Sequence, residues 1–301
     1  MTKFTAAASV VLALVAGSAF AADLPSRKAE PVYVPPAPTF TWTGLYGGVN
    51  IGYSFGAGGN ENGGLGYIVT NAPAGTPLPG GAAWNLPSNI NGVTGGGQVG
   101  YNYQFNPWLV IGLEADIQAS DAHSQSAGAG GAATVAPWFP HSALVNSTKS
   151  VDWFGTVRGR VGLTLPSYPN LMLYGTGGFA YGQVVNSFGV NDVYVSPTGP
   201  SGVVIGPRGS YDNTNTGWTA GGGIEWTPLP YSAFSAFSVK VEYLYTDLGN
   251  TTVSGTSLTS FPGGGPVFAY SHTSPTRFST IRAGLNWHFN PFAAAPVVAK
   301  Y

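Results

Sequence analysis

The clearest pattern in the chain is a strict alternation of apolar and polar residues that ends at Ser120. From Leu109 onward every second residue is apolar, and from Gly112 onward the residues between them are glycine or polar, including Glu114 and Asp116. A period of two is the signature of a β-strand whose two faces meet different surroundings. The pattern therefore predicts a strand with one apolar face and one face that carries carboxylates.

Similar alternation recurs along most of the chain and predicts eight strands. Each is long enough to cross a bilayer as a tilted strand, which takes about 9–11 residues. The fifth strand is rich in glycine and its faces are not determined, whereas the fourth is predicted to turn Trp153 outward and Asp152 inward. The predicted strands cover about 43–55, 93–105, 108–120, 151–165, 171–183, 216–227, 236–248 and 277–289.

The connections between these strands alternate between short and long. Short turns rich in proline and asparagine are predicted at 106–107, at 166–170 and from 228 onward. Bacterial outer-membrane barrels pair short periplasmic turns with long extracellular loops in this way. We therefore predict an all-β fold, an eight-stranded antiparallel up-and-down transmembrane β-barrel over 43–289, with both termini periplasmic. The predicted long loops are about 56–92, 121–150, 184–215 and 249–276.

Composition supports a lipid-facing surface. Only 8% of residues are charged, against about 25% in ordinary soluble domains, while 44% are hydrophobic. A disordered chain has the opposite balance. Beyond the N-terminal region no stretch of apolar residues is long enough for a helical span, which leaves a closed barrel as the way to satisfy the backbone in lipid.

Aromatic residues lie at the predicted strand ends, where the amphipathic rings of membrane proteins meet the lipid headgroups. The wall of a soluble barrel would carry charge instead, and no charged residue falls on an outer face that can be assigned. The predicted interface aromatics at the periplasmic end are Trp42, Phe105, Trp108, Trp226, Trp287 and Phe289.

The two ends of the chain are predicted to lie outside the barrel. Lys3, a short apolar run and the small residues Ala19 and Ala21 indicate a signal peptide over 1–21. The run is shorter than the roughly 20 residues that a membrane anchor needs. A proline-rich periplasmic linker is predicted over 22–42, and a C-terminal tail over 290–301.

The predicted inner faces carry equal numbers of acids and bases. An eight-stranded barrel is just wide enough for its own side chains to fill it, and buried charges must be paired. The pattern favours a structural network of ion pairs in the lumen, and a narrow ion path is the alternative. These lumen residues are Glu114, Asp116, Arg158, Arg160, Glu225, Lys240, Glu242 and Arg282.

Several classes of function receive no support. The chain has no cysteine, which excludes disulfides and thiolate chemistry, and its net charge of −1 without a basic run gives no reason to expect nucleic acid as a partner. Gly95–Gly100 formally matches a dinucleotide-binding motif, but the strand pattern continues where that motif requires a helix. No motif groups a nucleophile with a base, so we predict no enzyme, no catalytic residue and no cofactor.

The histidines offer a further alternative. His123, His141 and His272 lie in predicted extracellular loops and are expected to be solvated. Exposed histidines can ligate haem iron or a metal, but no ligand spacing is present, and no metal site is predicted. Long loops carry binding function more often than barrel walls, so a haem or host ligand at these loops stays an open alternative.

Four segments carry a family resemblance: Phe40–Gly48, Tyr174–Tyr181, Val241–Tyr245 and Arg282–Phe289. They resemble the alphaproteobacterial outer-membrane β-barrel family that includes RopB and the major surface proteins of Brucella and Bartonella. The resemblance implies an eight-stranded OmpA-like barrel of the "porin family" type, with roles in envelope integrity and host contact. Some relatives are reported to bind haemin, but no residue motif for that activity can be matched here.

One departure from this pattern concerns the end of the chain. Such barrels usually end on an aromatic residue that the barrel-assembly machinery reads, whereas here Phe289 is followed by a tail that ends in Tyr301. The sequence thus predicts a non-enzymatic outer-membrane protein whose partners are lipid and the assembly machinery. A narrow diffusion channel and a loop-borne receptor are the alternatives.

Overall fold

The computed structural model describes residues 40–69, 78–133, 141–194, 202–228, 236–258 and 267–289. The predicted signal peptide, most of the predicted linker and the predicted tail lie outside these ranges. Within them, no helix combines the length and hydropathy needed to cross a bilayer. The strands are β1 (Gly44–Gly56), β2 (Asn60–Val69), β3 (Leu78–Pro87), β4 (Gly92–Asn106), β5 (Leu109–Ala133), β6 (His141–Leu165), β7 (Tyr168–Tyr194), β8 (Gly202–Trp226), β9 (Phe237–Leu258) and β10 (Val267–Phe289).

Eight of these strands close into a hydrogen-bonded antiparallel ring. The order is β1–β4–β5–β6–β7–β8–β9–β10, and β10 returns to β1, with Leu45 opposite Phe289 and Gly56 opposite Phe278. The predicted eight-stranded barrel is thereby confirmed. We call the end that holds the start of β1 and the short β4–β5 and β6–β7 turns the turn end, and the opposite end the loop end.

The described part of the first predicted long loop, 56–92, is mostly strand. It contains the hairpin β2–β3, which continues the wall where β1 and β4 stop. At the loop end, β2 pairs with β10, where Asn62 lies opposite Thr273, and β3 pairs with β5, where Gly81 lies opposite Ala133. The hairpin thus takes the place of the two shorter strands in the upper wall.

The other three predicted loops are also largely strand, because β5 to β10 run for 22 to 27 residues. The prediction of loops was wrong because strands were predicted only where the outward-facing residues are apolar. At the loop end the two faces exchange character: Asn146 and Thr148 are exposed, whereas Val145 and Phe188 are buried inside. This is the pattern of a barrel that is surrounded by water.

Toward the turn end the outer wall is apolar, which is the arrangement expected for contact with lipid. In the glycine-rich β7, whose faces the sequence left undetermined, Leu171 and Leu173 point outward and Met172 inward. Apolar side chains with large exposure ring this part of the wall: Val49, Ile51, Val99, Leu113, Val157, Val161, Leu173, Ile224, Val241 and Leu285.

One residue of β6 faces the opposite way from the prediction. A register irregularity between Val151 and Phe154 shifts the phase of the strand, so that Phe154 points inward and Asp152 is exposed. The irregularity occurs where the wall passes from its apolar to its polar outer face. A β-bulge inserts one residue and reverses the alternation beyond it.

Candidate functional site: a filled barrel lumen

All eight predicted lumen charges lie inside the ring, and none exposes more than 5% of its surface. Four acids meet four bases, so the group is electrically balanced when every member is ionised. The members come from five strands: β5 carries Glu114 and Asp116, β6 carries Arg158 and Arg160, β8 carries Glu225, β9 carries Lys240 and Glu242, and β10 carries Arg282.

Glu114 accepts hydrogen bonds from three directions. Lys240 Nζ lies 2.8 Å from Oε1 and 2.9 Å from Oε2, and the Tyr46 hydroxyl donates to Oε2 at 2.7 Å. The guanidinium of Arg158, the cross-strand partner of Glu114, donates to Oε1. A buried carboxylate needs such neighbours, because burial without partners costs several kcal/mol.

Two arginines bridge the remaining carboxylates near the centre. Arg158 Nη1 lies 2.9 Å from Glu242 Oε1, and its Nη2 lies 2.9 Å from Asp116 Oδ2. Arg282 Nη2 contacts the same two acids, at 2.9 Å from Asp116 Oδ2 and 2.6 Å from Glu242 Oε2. Since β10 and β5 are separated by two strands of the ring, these bridges cross the lumen.

Glu225 anchors the part of the network nearer the turn end. Its Oε2 lies 2.5 Å from Arg160 Nη2, and its Oε1 accepts from Ser238 at 2.5 Å and from the Asn286 amide at 2.8 Å. His288 Nε2 lies 3.4 Å from the same oxygen. Every oxygen of this fully buried carboxylate therefore has a partner.

Tyrosine rings fill the space between the charges. The guanidinium carbon of Arg160 lies 3.9 Å from the ring centroid of Tyr174, a cation–π contact, and Nη1 donates to the Tyr46 hydroxyl at 3.0 Å. Tyr46 fits because residue 100 is glycine: a Cβ there would lie 2.4 Å from the hydroxyl oxygen. Gly96 and Gly100 thus serve close packing in strand β4, whereas Gly95 and Gly97 have room for a Cβ.

Trp42 is buried in the turn-end mouth, and the prediction that it belongs to the interface belt is wrong. It exposes 1% of its surface, packs with Val110, Met172 and Tyr174, and donates from Nε1 to the Pro169 carbonyl at 2.9 Å. The segment before β1 enters the mouth instead of following the wall. The indole ring of Trp42 therefore fills the turn-end mouth and does not lie at the membrane surface.

An apolar layer covers the charged network on its loop-end side. Phe154 and Phe278 meet edge to face with ring centroids 5.1 Å apart, and Ile90 exposes 1% of its surface. The layer consists of Ile90, Ala122, Val151, Phe154, Ala180, Val184, Leu248 and Phe278. Side chains from five different strands and the segment before β4 thus meet above the charges.

A second polar cluster lies above this layer and was not predicted. Lys149 Nζ lies 3.2 Å from Glu61 Oε1 and donates to Ser88 Oγ at 2.8 Å and to the Pro275 carbonyl at 2.7 Å. Ser274 donates to Glu61 Oε1 at 3.0 Å. We call Glu61, Lys149, His272 and Ser274 the upper cluster; it joins the β2–β3 hairpin to β6 and β10.

The prediction that His272 is solvated is wrong, because the residue is fully buried. Its ring stacks on Phe188 with centroids 4.6 Å apart, accepts at Nδ1 from Trp84 Nε1 at 3.2 Å, and places Nε2 3.4 Å from Glu61 Oε2. His123 is exposed, as predicted, and His141 begins β6. The period-two position of His272 in β10 was the signal that would have revealed its burial.

Burial raises the pKa of Glu61, but the neighbouring His272 ring, the Lys149 charge and the hydrogen bond from Ser274 outweigh that effect. The pKa of Glu61 therefore lies well below its ordinary value. A final apolar layer closes the loop end above this cluster, formed by Leu65, Ala82, Trp84, Leu86, Ala143, Val145, Phe188, Val190 and Phe268.

The other five predicted interface aromatics lie on the outer wall at the turn end. Their exposed fractions range from 47% to 67%, and Trp287 packs on Phe237 with centroids 4.7 Å apart. Phe289 ends β10 opposite Leu45. These residues are Phe105, Trp108, Trp226, Trp287 and Phe289.

Within the described ranges no three histidine or carboxylate side chains are placed to hold a metal ion. The geometry brings together acids with bases and tyrosines with arginines, and each acid of the central network is held in ion pairs. Each buried acid thus has a partner that offsets part of the cost of removing it from water.

A closed ring that is apolar outside and charged inside defines a β-barrel of the membrane-spanning class. The family model "Outer membrane protein beta-barrel domain" matches residues 7–289. The chain belongs to this family, and it is a protein of the Gram-negative outer membrane.

Two relatives carry the name "31 kDa outer-membrane immunogenic protein", one from Brucella melitensis and one from Brucella suis. Each is 34% identical to this chain over 286 residues, which cover 93% of the chain and 99% of the relative. Solved structures with similarity include Ail of Yersinia pestis (13% identity, TM-score 0.26, covering 80% of this chain and 99% of Ail). Neisserial surface protein A (NspA) also matches (9% identity, TM-score 0.28, covering 79% of this chain and 97% of NspA).

Proposed function

We propose that this protein is a non-enzymatic structural component of the outer membrane that presents its loop end at the cell surface. The observation that carries the proposal is the filled interior. Trp42, the charged network, two apolar layers and the upper cluster follow one another from the turn end to the loop end. A barrel filled in this way supports a rigid wall and a surface face, and it leaves the ion path without a geometric basis.

The energetics of the interior agree with a structural role. An ion that moved through the lumen would have to separate buried ion pairs and pass the apolar layer around Phe154 and Phe278. Opening a buried pair costs several kcal/mol, because each charge loses its partner without gaining water. Selective pores instead provide sites that an ion enters and leaves easily.

The orientation belongs to the same proposal. We place the turn end in the periplasm and the loop end outside the cell, since bacterial barrels keep their short turns periplasmic. The Brucella relatives are named as immunogenic, which agrees with a surface-exposed face on this chain. The polar outer wall at the loop end supports the same direction.

Single cysteines test the orientation, because the natural chain has none. Thr256→Cys lies on the exposed loop-end wall and Ser167→Cys in the exposed β6–β7 turn. A membrane-impermeant maleimide should label the first variant in whole cells and the second only after the outer membrane is opened. The reverse pattern of labelling would refute the proposed orientation.

Conductance tests the filled lumen. The refolded full chain, shown to be folded by its shifted gel mobility before boiling, should give no discrete channels in a planar lipid bilayer. A porin refolded in the same way is the positive control, and a Glu114→Gln, Arg158→Gln variant is recorded beside it. Discrete wild-type channels whose size changes in this variant would establish the narrow pore and overturn the structural proposal.

A further inference from the structure

A polar pocket lies on the outer wall of the barrel where β2, β9 and β10 meet near the β1–β2 turn. Its volume is about 210 Å³. Thr273 and Pro275 face outward here, because the residues between and beside them, His272, Ser274 and Thr276, are buried inside. The lining residues are Gly59, Asn60, Asn62, Asn250, Thr273, Pro275 and Arg277.

The pocket stands directly beyond the apolar band of the wall. Phe289 and Ile281 mark the two sides of this band on β10, and both are half exposed. With a rise of about 3.4 Å per residue and a tilt of about 40°, the step from Phe289 to Ile281 spans about 21 Å and the step to Arg277 about 31 Å, which lies beyond the roughly 25 Å apolar band of a typical barrel. Arg277 is therefore the first outward position at the level of the lipid headgroups.

The groups in the pocket suit sugars and phosphate. Arg277 donates from Nε to Asp247 Oδ2 at 2.9 Å, and among the described residues its two Nη groups have no hydrogen-bond partner. Its side chain is 36% exposed. Guanidinium groups bind phosphate oxygens through two parallel hydrogen bonds, and side-chain amides and hydroxyls pair with sugar hydroxyls.

Three amide side chains complete the arrangement. Asn60, Asn62 and Asn250 are all exposed at the pocket, while Thr273 presents a hydroxyl whose Oγ1 lies 3.0 Å from that of Thr252. The wall around the pocket carries the Arg277–Asp247 ion pair instead of an apolar surface. The pocket therefore offers a headgroup hydrogen-bond donors and acceptors that an acyl chain cannot use.

We infer that this pocket binds the phosphorylated saccharide headgroup of a glycolipid in the outer leaflet, with Arg277 on a phosphate and the three asparagines on the sugar. The site would fix one lipid against the wall at the junction of the β2–β3 hairpin with β10. The inference rests on the proposed orientation, which puts the loop end outside, but it does not depend on whether the barrel conducts.

The test measures binding of refolded full-length protein to deep-rough lipopolysaccharide in detergent micelles. Arg277→Gln should weaken binding at least tenfold, and enzymatic removal of the lipid phosphates should weaken wild-type binding to a similar extent. Arg208→Gln, an exposed arginine on β8 outside the pocket, is the matched control and should stay within twofold of wild type. Inorganic phosphate should not compete at millimolar concentration.

Asp247→Asn breaks the same ion pair as Arg277→Gln, so it separates a loss of lipopolysaccharide binding from a loss of folding. It removes a carboxylate that competes for the guanidinium, so binding should equal or exceed that of wild type. Equal losses in Arg277→Gln and Arg208→Gln, or no effect of removing the lipid phosphates, would overturn the inference. Competition by inorganic phosphate would reassign the pocket to free anions. Binding in micelles is independent of orientation, which the cysteine labelling measures separately.

Discussion

Lys240 and Glu114 lie on strands at opposite sides of the ring, yet Lys240 Nζ contacts both carboxylate oxygens, at 2.8 and 2.9 Å. In the order β1–β4–β5–β6–β7–β8–β9–β10, strands β5 and β9 are four apart in either direction. This ion pair therefore spans the full width of the barrel. Two side chains are thus long enough to bridge the lumen at that level.

Glu114→Gln should strongly destabilise the barrel. The change leaves Lys240 and Arg158 buried beside a neutral amide, and removal of one partner from a buried pair costs about 3–5 kcal/mol. The expected loss is measured by urea unfolding of the protein refolded into lipid vesicles. A change below about 0.5 kcal/mol would contradict the network's structural role.

Lys240→Met combined with Glu114→Gln provides the matched control, since the double variant removes the cation together with its partner. The double variant should recover part of the stability that Glu114→Gln loses, which gives a coupling free energy of about 1–3 kcal/mol. Additive losses in the two single variants would show that Glu114 and Lys240 act independently.

Trp42→Ala should destabilise the turn end without opening a channel. Loss of a buried tryptophan costs about 3–5 kcal/mol, and the charged network still closes the lumen above the vacated space. Trp287→Ala, at an exposed tryptophan of the outer wall, is the comparison and should cost less in the same unfolding assay. Steady conductance in Trp42→Ala alone would show that this side chain is the principal barrier.

The membrane-spanning part of the barrel could be predicted because its alternation has one sense throughout. Residues such as Glu114 and Leu113 occupy opposite faces in a fixed rhythm, so that the strand count and the lumen charges follow from the pattern. Cross-lumen partners could not be predicted. The pairing of Lys240 with Glu114 depends on the order of the strands around the ring, which no local pattern contains.

Three departures have identifiable physical causes. Asp152 faces outward because a bulge shifts the register, which depends on the neighbouring strand. His272 was missed because the strand was predicted to begin only at 277, although the alternation that turns Arg282 inward continues along β10 to His272. Trp42 is buried because the segment before β1 turns into the mouth. This path depends on tertiary packing, which an aromatic residue at a strand end does not reveal.

The upper cluster should make stability at the loop end depend on acid pH. Glu61 has a pKa in the folded protein well below the unfolded value of about 4.3. Its contribution is therefore complete above about pH 4.3 and is lost as the pH falls toward the lower folded pKa. Glu61→Gln should cost about 3 kcal/mol at pH 7, and the difference from wild type should shrink below pH 4.

The measurement is the unfolding midpoint in denaturant at pH 7, 5 and 3. Asp121→Asn removes an exposed carboxylate on β5 and serves as the control, which should track wild type at each pH. If Glu61→Gln keeps the same deficit from pH 7 to pH 3, the cluster is held by packing and not by the ionised carboxylate.

Gly100→Ala tests how closely the lumen is filled. An added Cβ would lie 2.4 Å from the Tyr46 hydroxyl oxygen and 2.7 Å from the Leu113 carbonyl oxygen, so Tyr46 must leave its hydrogen bond to Glu114. Such overpacking costs about 1–3 kcal/mol. Gly97→Ala, three residues earlier in β4, meets its nearest atom at 3.5 Å and should be neutral or slightly stabilising. Each variant adds a single methyl group to β4. Equal unfolding midpoints would show that the lumen has free space for the methyl group at residue 100.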